Sequence, residues 1–384
     1  MFNSKVITTL MVLLIVLTAG VASAGDMDWS FYGKFHSSIN MLSNGENSQL
    51  GLSSNTSRYG FKGGKVLNDD VTFVWQVEQA VNIAQGSFST TLRNTYVGFK
   101  NAKMGEVRMG RHDTPHKTLG RKTTFFFDTV GDNRQMTFGT DSRLSDILAW
   151  VSPDWSGFAL FLAYQFDQDG NKLNPNVAAD AKFYAETLFS GMATYAKNEF
   201  FVGASMIMFG EGYEATGPTD ARGDAPTVFR LAGKYNAEKF GIAASYLTIG
   251  AQDWDPTLAT PAFVDMTLST IGFEGMFHAS EKYDIKAGYY MSDPNTDRDD
   301  DDFGMITFGV DRNFGKSTQL YVQYAMMSYG DAADPSDSPM GGSGSGFATG
   351  TSWSGYDSTD YTATPVVPNY ESPYGLSFGV AHKW

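Results

Sequence analysis

The fold is decided by the stretch Trp29-Ser-Phe-Tyr-Gly-Lys-Phe-His-Ser-Ser-Ile-Asn-Met41, along which apolar and polar side chains alternate. Trp29 and Phe31 fall on one side of an extended chain, whereas Lys34 and His36 fall on the other. Successive side chains of a strand point to opposite faces of the sheet. The stretch therefore predicts a strand with one apolar and one polar face.

The same alternation recurs along the chain in segments of about ten residues separated by turns. It is clearest over 158–166, 283–291 and 374–384. Short and long connections alternate along the chain. Seven short turns and eight long loops predict sixteen antiparallel strands. An even number of such strands can close on itself, which removes the sheet edges. The predicted fold class is all-β: a closed antiparallel transmembrane β-barrel of about 16 strands.

The first 24 residues predict a secretory signal peptide. Lys5 precedes the apolar run Leu10–Leu17, and Ala22-Ser-Ala24 has the small-residue pattern of a cleavage site. Residues 25–384 would then form the barrel. After residue 24 the chain has no run of about 18 consecutive apolar residues, so any membrane span would have to consist of strands.

A secreted β-sandwich would alternate in the same way, and the positions of the aromatic residues argue against it. Trp29, Trp155, Tyr283 and Trp384 lie at or near the predicted short turns. A sandwich packs its apolar face inward and needs no rings at the ends of its strands, whereas a membrane barrel carries an aromatic girdle at each interface. The aromatic positions therefore favour the barrel.

Several short motifs resemble those of the general, non-specific porins of Gram-negative bacteria, which are sixteen-stranded and trimeric. The motifs are Phe31-Tyr-Gly-Lys34, Ser57-Arg-Tyr-Gly-Phe-Lys-Gly63, Arg93-Asn-Thr-Tyr-Val-Gly-Phe99, Gly105-Glu-Val-Arg-Met-Gly-Arg111 and the aromatic end Tyr374 to Trp384. The resemblance implies an outer-membrane homotrimer in contact with outer-membrane lipid and lipopolysaccharide. Its barrels would be water-filled channels for passive diffusion of small hydrophilic solutes and ions.

The resemblance also implies that the third outer loop folds inward and narrows the channel. The long connection 112–142 is the segment that would do so, and 330–371 is a second long outer loop. In the porin family, basic side chains of the barrel wall face acids of the inward loop across the constriction. Carried over by position, the wall residues are Lys34, Arg58, Arg93 and Arg143, and the loop acids are Asp128 and Asp132. The other candidate constriction residues are Lys62 and Arg111 on the wall and the acid Asp113.

Strand alternation agrees independently for Lys34, Arg58 and Lys62, because each is opposite in parity to apolar neighbours. Arg108 and Arg111 have opposite parity, so at most one of the two points inward. The loop departs from the family's Pro-Glu-Phe-Gly-Gly-Asp pattern, since it reads Phe125-Phe-Phe-Asp-Thr-Val-Gly-Asp132. We expect the three phenylalanines to be buried between loop and wall.

Composition limits the alternatives. The formal net charge is -14, with 28 basic against 42 acidic residues, which disfavours a nucleic-acid partner. A substrate-specific channel for a sugar, an anion or a dicarboxylate stays open as an alternative, although the basic cluster indicates a transverse field rather than a ladder of arginines. An outer-membrane β-barrel enzyme is the further alternative.

Little in the sequence favours catalysis or metal binding. The chain has five histidines, no cysteine and no Gly-x-Ser-x-Gly elbow with plausible partners. We expect no enzymatic activity, no cofactor and no metal site. The ion preference stays open, because acids and bases nearly balance within 112–143.

Overall fold

The computed structural model describes residues 28–43, 48–166, 187–210, 224–255, 262–293, 302–329 and 373–384. The predicted signal peptide, 1–24, and the predicted long outer loop, 330–371, lie outside the described residues. No helix within these ranges is both long enough and apolar enough to cross a membrane.

Sixteen strands, numbered β1 to β16 in chain order, make up a single antiparallel sheet in the described part of the chain. The first eight are β1 Asp28–Ser43, β2 Ser48–Ser54 with Arg58–Val66, β3 Val71–Asn82, β4 Ser87–Phe88 with Thr95–Asn101, β5 Gly105–Asp113, β6 Arg143–Val151, β7 Phe158–Gln165 and β8 Leu188–Lys197. The last eight are β9 Phe200–Phe209, β10 Thr227–Asn236, β11 Phe240–Asp255, β12 Ala262–Ser280, β13 Tyr283–Asp293, β14 Phe303–Phe314, β15 Thr318–Tyr329 and β16 Tyr374–Lys383.

Two strands are interrupted but continue in the same position of the sheet. Both segments of β2 pair with β1. Ser48–Ser54 pairs from Ser37↔Ser54 onward, and Arg58–Val66 pairs from Lys34↔Arg58 onward. Both segments of β4 likewise pair with β3. Thr56, between the two segments of β2, has a positive φ of 57°, which breaks the extended conformation.

The barrel closes between its first and last strands. β1 pairs with β16 over ten residue pairs, from Lys34↔Lys383 to Ser43↔Tyr374. Each strand from β2 to β15 pairs with the strands before and after it. The predicted closed antiparallel barrel of sixteen strands is therefore confirmed, and its ladder supplies the hydrogen bonds that a lipid environment cannot.

The two faces of the sheet are inverted relative to those of a soluble protein. Along β13, exposed Tyr283 and Ile285 alternate with buried Asp284 and Lys286. On β12, the side chain of Phe273 is 57% exposed. A sandwich would bury its apolar face, whereas a membrane barrel turns that face to lipid and encloses the polar one. The inverted faces exclude the sandwich.

Aromatic rings gather at the end of the barrel that carries the short turns. The ring centroid of Trp384 lies 4.9 Å from that of Phe35 and 5.8 Å from that of Phe31. The rings of Trp150 and Trp155 are 6.3 Å apart. These clusters have the position of an interfacial girdle, where amphipathic rings anchor a protein at the headgroup level.

We expect Phe273→Arg to lower the free energy of unfolding by about 2–4 kcal/mol, because it places a charge within the lipid-facing apolar surface. The measurement is urea unfolding of the protein in phospholipid vesicles. Gln76→Arg is the matched control, since Gln76 lies opposite Lys62 on the enclosed polar face. Equal losses in the two variants would contradict the assignment of the faces.

Candidate functional site

The connection between β5 and β6, residues 114–142, lies against the polar face of the sheet. It contains one helix, α1 (Pro115–Lys122), and one turn of 3-10 helix, Asn133–Met136. The hydroxyl of Thr114 caps α1 by accepting from the amide of Lys117 at 3.2 Å, and Pro115 occupies its first turn. Helix α1 contacts β7, β8, β9 and β10, while the 3-10 turn contacts β13.

Three apolar side chains of this segment sit on glycines of the wall. A Cβ atom at Gly203 would lie 2.7 Å from Leu119, and one at Gly241 would lie 2.5 Å from the ring of Phe125. Phe126 lies over Gly309 in the same way, at 3.3 Å. At Gly203 and Gly241 only glycine leaves room for the contact. Each of the three contacts buries a large apolar side chain worth about 1.5–3 kcal/mol.

Polar contacts hold the middle of the segment to the far wall. The carboxylate of Glu274 accepts from the hydroxyl of Thr124 at 2.7 Å and from the amide of Phe125. Two wall lysines donate to backbone carbonyls, Lys234 to Thr124 and Lys286 to Phe125, each at 3.0 Å. These contacts leave the backbone of this stretch satisfied although it is buried.

Arg230 ties the two ends of the segment together. Its guanidinium donates to the carbonyl of His116 at 3.0 Å and to Asp141 at 2.7 Å. Burial, together with the charge of Arg230, lowers the pKa of His116 well below its usual range. His116 is therefore neutral at physiological pH, and one ring nitrogen lies 3.1 Å from the hydroxyl of Ser205.

The expectation that the three consecutive phenylalanines are buried is met by two of them. Phe125 and Phe126 are buried, but Phe127 is 41% exposed. The expectation was wrong for Phe127 because its ring does not pack on a wall glycine, as those of Phe125 and Phe126 do. One face of the ring is covered by Arg121 instead, whose guanidinium carbon is 4.6 Å from the ring centroid.

Asp128 joins the segment to the near wall. Its Oδ2 accepts from Lys34 Nζ at 3.0 Å and from the hydroxyl of Thr56 at 2.6 Å. Its Oδ1 lies 3.4 Å from Arg121 and 3.3 Å from Arg134. Burial alone would raise the pKa of Asp128, but the charges of Lys34, Arg121 and Arg134 outweigh it and hold that pKa well below its usual range.

Asp132 faces the segment's own residues. Its carboxylate accepts two hydrogen bonds from Arg121, at 2.7 and 2.8 Å, and others from the amides of Asp128 and Arg134. Its side chain is fully buried. Asp132 therefore stabilises the turn that contains Asp128.

Glu78 on β3 sits among the predicted wall arginines. Its carboxylate lies 2.6 Å from Arg93 Nε and 3.4 Å from Arg58 Nε, and it accepts from the hydroxyl of Tyr32 at 3.0 Å. Glu78 was not among the predicted constriction residues. Its alternation with apolar Val77 could have placed it on the polar face, but its pairing with Arg58 and Arg93 depends on the register between strands.

A second ionic cluster surrounds Asp113, which ends β5. Its Oδ1 lies 3.0 Å from Lys117 and 3.0 Å from Arg143, and its Oδ2 accepts from Asn94. Burial lowers the pKa of Lys117 to about 8, although Asp113 opposes the shift. The structure thus brings Arg143 and Asp113 together beside α1.

The remaining candidates lie at the margins of these clusters. Lys62 is exposed, with its Nζ 5.2 Å from the ring centroid of Tyr32. Arg111 donates to the hydroxyl of Ser145 at 2.7 Å. It makes no ion pair within the described residues, although the charges of Asp113 and Arg93 act on it.

Nine charged residues that hold the segment or surround it were absent from the predicted set. They are Glu78, Lys117, Arg121, Arg134, Asp141, Arg230, Lys234, Glu274 and Lys286. Alternation could have placed the four on β10, β12 and β13 on the polar face, but not against the segment. No cluster of His, Asp or Glu in the described ranges could hold a metal ion.

Known proteins resemble this chain over nearly its whole length. A family model described as Gram-negative porin matches residues 9–332. "Major outer membrane protein P.IB" of Neisseria sicca is 22% identical over 354 residues, which cover 85% of this chain and 97% of that protein.

Two solved structures share the fold. The "Anion-selective porin from Comamonas acidovorans" has a TM-score of 0.68 at 17% identity, covering 94% of this chain and 100% of its own. The trimer form of OmpT of Vibrio cholerae has a TM-score of 0.61 at 18% identity, with the same coverage.

We expect Gly241→Leu to release the middle of segment 114–142 from the wall, because the new side chain would occupy the position of the Phe125 ring. Amide hydrogen exchange within the segment should accelerate about tenfold. Gly275→Leu is the matched control, since a Cβ there meets nothing within 4 Å. Unchanged amide hydrogen exchange in Gly241→Leu would show that the contact between Phe125 and Gly241 does not hold the segment.

Proposed function

This chain belongs to the Gram-negative porin family, and from that premise we propose that residues 114–142 narrow its channel and make the narrow section favour anions. The protein is an outer-membrane porin, through which small hydrophilic solutes diffuse passively within a water-filled β-barrel. The charges of the narrow section determine whether it favours anions or cations.

An excess of positive charge carries the proposal. The constriction network, as we define it, consists of the eight basic residues Lys34, Arg58, Lys62, Arg93, Lys117, Arg121, Arg134 and Arg143 and the four acids Glu78, Asp113, Asp128 and Asp132. Each acid lies beside at least two of the bases. Four positive charges therefore remain in excess among the described residues of this network.

The sign of this excess is opposite to that of the whole chain, whose formal net charge is -14. Charges that line a narrow passage with low-dielectric walls act on a passing ion more strongly than charges on the outer surface. A chloride or carboxylate ion would be attracted into the passage, while a cation would be repelled. The Comamonas acidovorans structure that shares the fold is an anion-selective porin, which supports the same preference.

We propose further that the protein is a homotrimer. The trimer form of Vibrio cholerae OmpT, which shares the fold, supports this assembly. Contact with lipopolysaccharide stays a prediction. The family is one of channels, so we propose no enzymatic reaction for this barrel.

We expect Arg58→Ala to lower the chloride-to-sodium permeability ratio about twofold, because it removes one positive charge from the constriction network. The ratio is obtained from reversal potentials across a planar bilayer with a sodium chloride gradient. Triplet conductance steps in the same recordings would support the homotrimer. Arg312→Ala is the matched control, because Arg312 lies outside the network, is exposed, and has its guanidinium over the rings of Tyr283 and Phe314; an effect as large as that of Arg58→Ala would contradict the proposal.

We expect the anion preference to fall between pH 7 and pH 9. The pKa of Lys117 is lowered to about 8 by burial, so this side chain loses its charge over that interval, whereas an ordinary lysine keeps it. Reversal potentials at stepped pH measure the change. Lys117→Arg should diminish it, because arginine stays charged; a drop of unchanged size in this variant would exclude Lys117 as a source.

A further inference from the structure

Phe127 is exposed, whereas Phe125 and Phe126 before it are buried. The guanidinium of Arg121 covers one face of the ring at 4.6 Å. Arg121 is itself fixed by two hydrogen bonds to Asp132. The cation and the ring are therefore held together as a rigid pair, and the uncovered face of the ring is left to solvent.

Tyr32 on β1 is a second aromatic residue of the wall. The hydroxyl end of its ring lies against Gly60, where a Cβ would come within 2.6–2.9 Å of three of its atoms. Its hydroxyl is fixed to Glu78, and Lys62 Nζ lies 5.2 Å from the ring centroid. Tyr32 and Lys62 form a ring and cation pair on the wall, as Phe127 and Arg121 do on the segment.

The two pairs belong to the same narrow section. Phe127 adjoins Asp128, whose carboxylate binds Lys34 and Thr56 of the wall. Arg58 donates to the carbonyl of Thr56 at 3.0 Å. The side chain of Arg58 is 27% exposed, against 17% for Arg93, so its guanidinium is the more accessible to a passing anion.

We propose that the narrow section binds aromatic carboxylates transiently during their passage. The carboxylate would pair with Arg58, and the solute ring would stack on Phe127. Guanidinium groups bind carboxylates in a planar fork, and rings stack on both guanidinium planes and other rings. An aliphatic anion would gain only the first of these interactions. This inference rests on the proposed function, since it requires that segment 114–142 and the wall bound the channel.

The test compares two anions of equal charge and similar size, benzoate and cyclohexanecarboxylate, as sodium salts against sodium chloride in a planar bilayer. Only benzoate can stack through a π-system. We expect benzoate to be about threefold more permeant than cyclohexanecarboxylate, which is the ratio that one weak stacking contact supports.

The variants locate the effect. Phe127→Leu should bring the two permeabilities together, because it keeps the apolar bulk and removes the ring, whereas Phe127→Tyr should preserve the preference. Phe273→Leu removes an exposed ring from the lipid-facing side and should leave the preference unchanged.

Equal permeabilities in the wild-type protein, or a benzoate preference that survives in Phe127→Leu, would overturn this inference. The sodium chloride reversal potential, recorded in the same membranes, tests the proposed function separately. Anion preference without benzoate preference would reject the stacking site alone, whereas loss of both would reject the proposed function as well.

Discussion

Closure of the hydrogen-bond ladder between β1 and β16 is the constraint on which the rest of the structure depends. Lipid offers no partner to an unpaired N–H or C=O group, so a sheet can cross a membrane only when it has no edge. Once the sheet is closed, each strand has one enclosed face and one lipid-facing face. The alternation of exposed Tyr283 and Ile285 with buried Asp284 and Lys286 follows from that division.

Part of the polar face of the sheet is packed like the core of a soluble protein. Leu119, Phe125 and Phe126 pack on wall glycines, and their backbone is satisfied by wall side chains such as Glu274. On the opposite side, the same segment meets the wall through ion pairs and leaves Phe127 exposed. The segment is thus held rigidly on one side by apolar contacts, so that charged groups can be presented on the other.

Local patterns predicted the barrel because alternation is a property of neighbouring residues. The same patterns placed Lys34, Arg58 and Lys62 on the polar face. They could not reveal that Glu78 lies beside both Arg58 and Arg93, since that contact depends on the register of three strands. Nor could they separate Phe127 from two identical neighbours, or show that Asp132 turns inward to Arg121, because both depend on the path of a segment without periodicity.

The interruption of β2 at residues 55–57 joins wall and segment in one unit. Backbone pairing continues beside the break, where the amide of Asn55 donates to the carbonyl of His36 and that of Val81 donates to the carbonyl of Ser57. It frees the hydroxyl of Thr56 to bind Asp128. Segment 114–142 is therefore not an independent module. Grafted onto a barrel whose second strand is unbroken, it would lack the hydrogen bond from Thr56 to Asp128, and the residues around Asp128 would have to contact the wall elsewhere.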